Sequence, residues 1–315
     1  MARSYGSNAT LLLKREGSYG AIPTGDYIQM PFNRCTLSSE QGLIADPVLG
    51  QGRDPLSPLQ DVINDEGDIV VPMDVRYLGL WLTALLGNPV TTGVGPYTHE
   101  FHSGGASIPS YSIEMGLSQA SSFFMHQGVK VNTLALEFQR SGAAAATLGV
   151  IAQGETRNGT SQGGTPTTLT FNRISQFQGS IKRSGSLIAN LTAGSLTYSN
   201  NLEKIETIRN DGLIDGADPT IAALTGKIDV RFADTTLVDL ASNGTPVDLQ
   251  FAYTIDADNS VVFDCHEVYL PKPKLTVDGP GGVQASFDFQ GAKNATAGRM
   301  LTVTLTNDLD GSDYL

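Results

Sequence analysis

A repeated unit constrains this chain more than any single motif does. GDIVVPMDVRYLGLWLTALLG, from Gly67, and GKIDVRFADTTLVDLASNG, from Gly226, each run from a strand-like alternation straight into a helix-like stripe. Sliding the sequence against itself by 159 residues sets Leu37 on Leu196, Gly67 on Gly226, Ile69 on Ile228, Val71 on Val230 and Leu78 on Leu237. In the same frame Met73 meets Phe232 and Trp81 meets Leu240. Matching resumes at a displacement of 137, with Val131 on Val268, Gly142 on Gly279 and Gln153–Gly154 on Gln290–Gly291. The change of 22 residues falls where the first copy carries a Gly/Pro-rich stretch, 88–110, read as an inserted loop. The colinear order of the matches points to a duplication, with a first module over 1–155 and a second over 156–315.

Each copy has the same physical pattern. Ile69, Val71 and Met73 alternate with Asp68, Val70 and Pro72, as in a half-buried strand; Ile228, Val230 and Phe232 alternate with Lys227, Asp229 and Arg231. Val75, Leu78, Leu82 and Leu85 then form a one-sided helical stripe. Asp74 and Asp234 are candidate N-caps, and Gly87 and Gly244 stand where a helix should stop. The 35 Gly and 15 Pro suit many strands joined by turns. Further strands are expected over 27–38, 110–115, 129–140, 145–152, 168–174, 179–181, 187–200, 247–255, 261–270, 274–277, 283–289 and 300–307. ETRNGTSQGGTPT, from Glu155, reads as a linker, and 43–66 and 203–226 read as long polar loops fitted for contact with other copies of the chain. The fold class is therefore mainly β with flanking helices: two tandem sheet modules, each with one packed helix.

The formal charge is -12, split evenly between the halves, so the acidity belongs to the whole body. Tight grip on a phosphate backbone needs cationic neutralisation, which this balance does not supply. Cys35 and Cys265 make no CxxC pair and no metal spacing, and read as half-buried thiols in a reducing compartment. The apolar run near the N-terminus is too short for a signal peptide, and VRYLGLWLTALLG is too short to span a bilayer. A soluble protein made in a cytoplasm is expected.

LLLKREGSYGAIPTGDYIQMPF, from Leu11, resembles the opening arm of tail tube proteins of long, flexible-tailed bacteriophages, in which a K/E-x-x-x-G-x-x-P element leads into the first strand. GSLIANLTAGSLTYSNNLE, from Gly185, resembles the start of a second tube module, with Asn200–Asn201 similar to the NN pair found there. The resemblance implies two tandem β-sandwich modules, each curling into part of a barrel with a helix outside. It implies a structural virion protein, not an enzyme, with no cofactor. Such modules pack six to a ring, so a two-module chain would form trimeric rings with pseudo-six-fold symmetry. The rings would stack into a tube that conducts genomic DNA into the host cell without binding it tightly. The implied partners are further copies of the chain and the tape measure, terminator and tail tip proteins. The implied location is the virion tail, assembled in the host bacterial cytoplasm. On this reading the arm 11–25 and the loop 43–66 join successive rings, and lumen carboxylates would repel passing phosphates.

Catalytic and ligand patterns are weak throughout. His99 and His102 have a helical metal spacing but sit in a turn-rich insertion. Cys265, His266 and Glu267 are adjacent, yet in a strand His266 points away from its neighbours. Segments 256–260 and 308–313 lack the twelve-residue calcium frame and read as hairpin turns. Gly279–Gly282 and Gly50–Pro55 lack the residues of a phosphate loop. Trp81 is assigned to the sheet–helix core. No catalytic, cofactor or metal residue is assigned. The alternatives are a tail-tip or carbohydrate-binding β-sandwich module, which would cluster exposed aromatics, a secretion-apparatus tube subunit, and a hydrolase with paired carboxylates.

Overall fold

The computed structural model describes residues 3–232, 235–273 and 282–315. As the composition predicts, the chain is mainly β. Its first half holds β1 (Ala9–Arg15), β2 (Ile28–Gln29), β3 (Arg34–Cys35), β4 (Ser38–Ile44) and β5 (Leu59–Pro72). Helix α1 (Leu78–Leu86) follows, then β6 (Val90–Gly93), β7 (Tyr97–His102), β8 (Tyr111–Leu117), β9 (Ser122–Phe138), β10 (Ala145–Ala152) and β11 (Gly154–Asn158). The second half holds β12 (Gly179–Arg183), β13 (Ser186–Leu187), β14 (Leu191–Ser199), β15 (Leu202–Ile205), β16 (Gly216–Pro219) and β17 (Ala223–Arg231). After α2 (Thr236–Asn243) come β18 (Val247–Thr254), β19 (Ser260–Tyr269), β20 (Gln284–Gly291) and β21 (Leu301–Asn307).

The strand–helix units repeat in register as well as in sequence. Arg34 pairs with Val70 and Cys35 with Ile69; at the same 159-residue displacement Ala193 pairs with Asp229 and Gly194 with Ile228. Ser38 faces Glu66 and Glu40 faces Asn64, just as Thr197 faces Thr225 and Ser199 faces Ala223. The segments joining these strands, 41–63 and 200–222, therefore have equal length. Further on, β8 pairs with β9 and β18 with β19, with a bulge after Tyr111 in one pair and after Val247 in the other. These pairings revise the second displacement. Leu148 faces Ile69 and Phe287 faces Ile228, while Val129 faces Tyr111 and Val268 faces Val247. Hence β9 and β10 map onto β19 and β20 at 139, not 137, and Ile151 falls on Gln290. The same bulge stands in both copies, so it leaves the displacement between them unchanged.

The strands join in one continuous run of antiparallel pairs: β4, β5, β10, β9, β14, β17, β20, β19. The 17-residue β9 serves two neighbourhoods, pairing with β8 and β11 through its first part and with β10 and β14 through its second. One apolar core runs through both halves, from Leu11 and Trp81 to Phe251, Phe287 and Val303. No helix among the described residues is long and apolar enough to cross a membrane.

Several local expectations change. The inserted stretch 88–110 is not a loop; it contains the β6–β7 hairpin, and β7 pairs with the last strand, β21. Residues 43–66 are the outer part of the β4–β5 hairpin, and 203–226 contain the β15–β16 hairpin. The linker begins only after β11, and 168–174 carries one isolated bridge, Arg173 with Asp74, rather than a strand. The span 27–38 is broken into β2 and β3 by Pro31, which has no N–H to donate. Helix α1 is buried all round rather than along one stripe, because the C-terminal turn Gly311–Tyr314 covers its remaining side. Asp74 caps the turn before α1, accepting from the Arg76 and Tyr77 amides, and the helix begins after Tyr77. Gly87 and Gly244 end their helices at positive φ. Asp234, Gly279 and the expected strand 274–277 lie outside the described residues.

Candidate assembly surfaces

The segment that resembles an arm belongs to the body. Leu11, Leu12 and Leu13 of β1 are buried, and β1 pairs along its length with β8. The chain then turns around the buried carboxylate of Glu16, which accepts from Ser112 Oγ at 2.7 Å, Gly128 N at 2.8 Å and Gly20 N at 2.9 Å. Three donors on one carboxylate compensate its burial. The loop is closed by Lys14 Nζ, which donates to Thr24 O at 2.8 Å, and by Lys130 Nζ, 5.3 Å from the Tyr19 ring centroid. Burial holds the Tyr19 hydroxyl well above the usual phenol range, so it stays neutral.

The β4–β5 hairpin is braced where it leaves this body. Asp65 on β5 and His126 on β9 are both buried, with Nδ1 2.9 and 3.1 Å from the two carboxylate oxygens. His126 Nε2 lies 3.9 Å from Glu155 Oε2 and has no hydrogen-bond partner among the described residues. Glu155 in turn accepts from Ser39 N at 3.4 Å. Histidine with a carboxylate can orient a base, but nucleophilic catalysis needs a hydroxyl or thiol at the other nitrogen, and here a second carboxylate faces it. The cluster ties β4, β5, β9 and β11 together. Beyond it the hairpin runs into solvent with Leu43, Ile44, Val48, Leu49, Leu56, Leu59 and Val62 exposed. So many large apolar side chains on one projection mark a contact surface.

The corresponding hairpin of the second half is already docked. Its connecting segment folds over the first half as β15–β16. Leu202 N donates to Asn132 Oδ1 at 2.9 Å, Gln153 Nε2 to Ile214 O at 3.2 Å, and Lys130 Nζ to Ala217 O at 2.6 Å. Lys204 pairs with Glu66 at 2.9 Å and Lys130 with Asp218 at 3.7 Å. Leu202, Ile214 and Ala217 bury themselves against Ile108 and Ile151. Asn200, from the NN pair, is buried and donates to the Leu85 and Val131 carbonyls, while Asn201 braces the turn by donating to Ile221 O.

The residues weighed for chemistry are dispersed. His99 is buried in β7, between Thr91 Oγ1 at 2.9 Å and Asn307 Oδ1 at 3.2 Å, and burial lowers its pKa. His102 is half-exposed, 3.5 Å from Glu100. Cys265 faces the core, and burial pushes its thiol far above the usual range; His266, on the other face of β19, bonds Thr302 Oγ1 at 2.7 Å. The 256–260 segment is a turn in which Asp256 accepts from Asn259 Nδ2 and Asp258 N. The 308–313 segment is not a hairpin turn: Asp308 receives two 2.7 Å bonds from Arg76, and Asp310 caps the final turn. Trp81 lies in the core as expected. Among the described residues no three His, Cys, Asp or Glu side chains could together hold a metal ion. The buried Glu16 and the His126–Asp65 pair escaped sequence reading, since Asp65 lies 61 residues from His126, and Ser112 and Gly128 lie 96 and 112 residues from Glu16, with no motif spacing.

A family model described as phage tail tube protein matches residues 6–291. No curated protein matches the chain.

Proposed function

Because the chain belongs to the phage tail tube protein family and is a structural component of the virion tail, we propose that its copies close into trimeric rings. In this reading residues 1–155 and 156–315 act as two like modules, so three chains supply six sectors. The rings stack head to tail into a tube that conducts genomic DNA into the host cell. The tube is built in the host cytoplasm against tape measure, terminator and tail tip proteins.

The observation that carries this reading is the equal register of the two hairpins combined with their unequal use. In the second half, β14 inserts between β17 and β9; in the first, β3 and β4 pair only with β5 among the described residues. One of every two module contacts would then be intramolecular and carry no association entropy, and the other is left for a second copy. A contact between unlike faces closes into a ring when its rotation permits, which limits lateral growth and leaves stacking open-ended. The mass of the smallest ring released from assembled tubes tests this. Three chains are expected, and six would overturn the two-module reading.

A further inference from the structure

We propose that the tip of the β4–β5 hairpin of one copy lies across Thr225, Tyr269, Gln290 and Lys293 of a second copy. It would take there the position that 200–222 take on the first half of their own chain. This rests on the ring assembly proposed above and names the surfaces that close it.

Leu43 and Leu202 are counterparts at the 159-residue displacement, in loops of equal length. Leu202 is 9% exposed, whereas Leu43 is 69% exposed. The surface met by 202–218 includes Lys130, Ile151 and Gly154, with Glu66 at its edge. Strand register places Thr225, Tyr269 and Gln290 at the corresponding positions of the second half, and Lys293 follows at the same displacement just past β20. Ile151 and Gly154 are covered in the chain, while all four residues of the second set are exposed. One half thus has its strip filled and the other has it open. Among the described residues nothing in the same chain covers this second strip, so a hairpin from another copy is the natural occupant.

The side chains on the two surfaces differ together, which is the second line of argument. Within the chain, Lys130 pairs with Asp218; the counterparts are Tyr269 and Leu59, an aromatic and an aliphatic side chain. Within the chain, Lys204 pairs with Glu66; the counterparts are Ala45 and Thr225, both uncharged. Within the chain, Leu213 packs at Gly154; the counterparts are Asp54 and Lys293, of opposite charge. At each of the three places both members change, and each new pair is compatible. Had the surfaces no common partner, a charge would be expected to face an apolar group at one of them, where desolvation disfavours contact. The hairpin therefore makes a lateral contact within a ring rather than a contact between rings.

Charge exchange and cross-linking test the contact. Asp54→Lys and Lys293→Asp each set like charges together and should lower the assembled fraction about tenfold or more, and the double variant should restore it. Leu59→Cys with Tyr269→Cys, in a Cys35→Ser background, should give covalent multimers on mild oxidation, and neither single cysteine variant should. Circular dichroism of the monomers checks that the variants fold. Wild-type rings with no cross-link and no rescue by the exchange would overturn the docking while leaving the tail tube reading intact. Failure of the wild-type chain to form rings at all would overturn both.

Discussion

Gly67 and Gly226 show how one residue can be specified by its neighbour across a strand pair. A Cβ on Gly67 would strike the Thr36 carbonyl, and one on Gly226 would strike the Ser195 carbonyl, the same contact 159 residues on. At Gly226 it would also meet the Phe289 ring. The opposing atom is backbone, which cannot rotate away, so Gly67→Ala and Gly226→Ala should each cost at least about 1–3 kcal/mol. Denaturation midpoints with unchanged slopes would verify this, and a neutral effect at either site would refute it. Sequence comparison found both glycines as an aligned pair. It could not say why they are glycine, because the obstructing carbonyl lies about thirty residues away in the chain. The same limit hid Glu16, whose three donors come from three separate segments.

At the scale of elements, the two helices look alike in sequence and differ in setting. All nine residues of α1 are buried, whereas α2 buries Leu237 and Ala241. Tyr314 fills the space above Gly79, and Arg76 holds Asp308 beside it. Leu82→Ala should therefore cost about 2–5 kcal/mol, while Leu240→Ala, whose side chain is only partly buried, should cost less than half as much. Chemical denaturation of the two variants decides it; equal losses would contradict the assignment. Strands with clean alternation, such as β5 near Ile69 and β17 near Ile228, were legible from period alone. The outer β4–β5 hairpin was not, since both of its faces meet solvent and no period is imposed on Leu43–Val62. The β6–β7 hairpin was hidden for a related reason: its Gly and Pro residues signal turns, while the strand it pairs with, β21, lies some two hundred residues later.

For the whole molecule, the charge of -12 bears on the proposed conduit. Acid exceeds base in both halves, so whichever face lined such a channel would belong to a negative body. Assembled tubes should bind duplex DNA more weakly at physiological salt than the roughly 10⁻⁴–10⁻⁶ M of ordinary non-specific binders. Tight binding that weakens steeply with added salt would contradict this. The recurrence of register at this scale was legible because matched residues come in the same order in both halves. The junction between the halves was not, because β9 pairing with β14 depends on edges rather than on side-chain pattern. That junction also sets a schedule for synthesis. Strand β7 waits for β21, β9 waits for β14, and α1 stays bare on one side until Tyr314 has been made. A partly translated chain on the ribosome therefore lacks a finished first half.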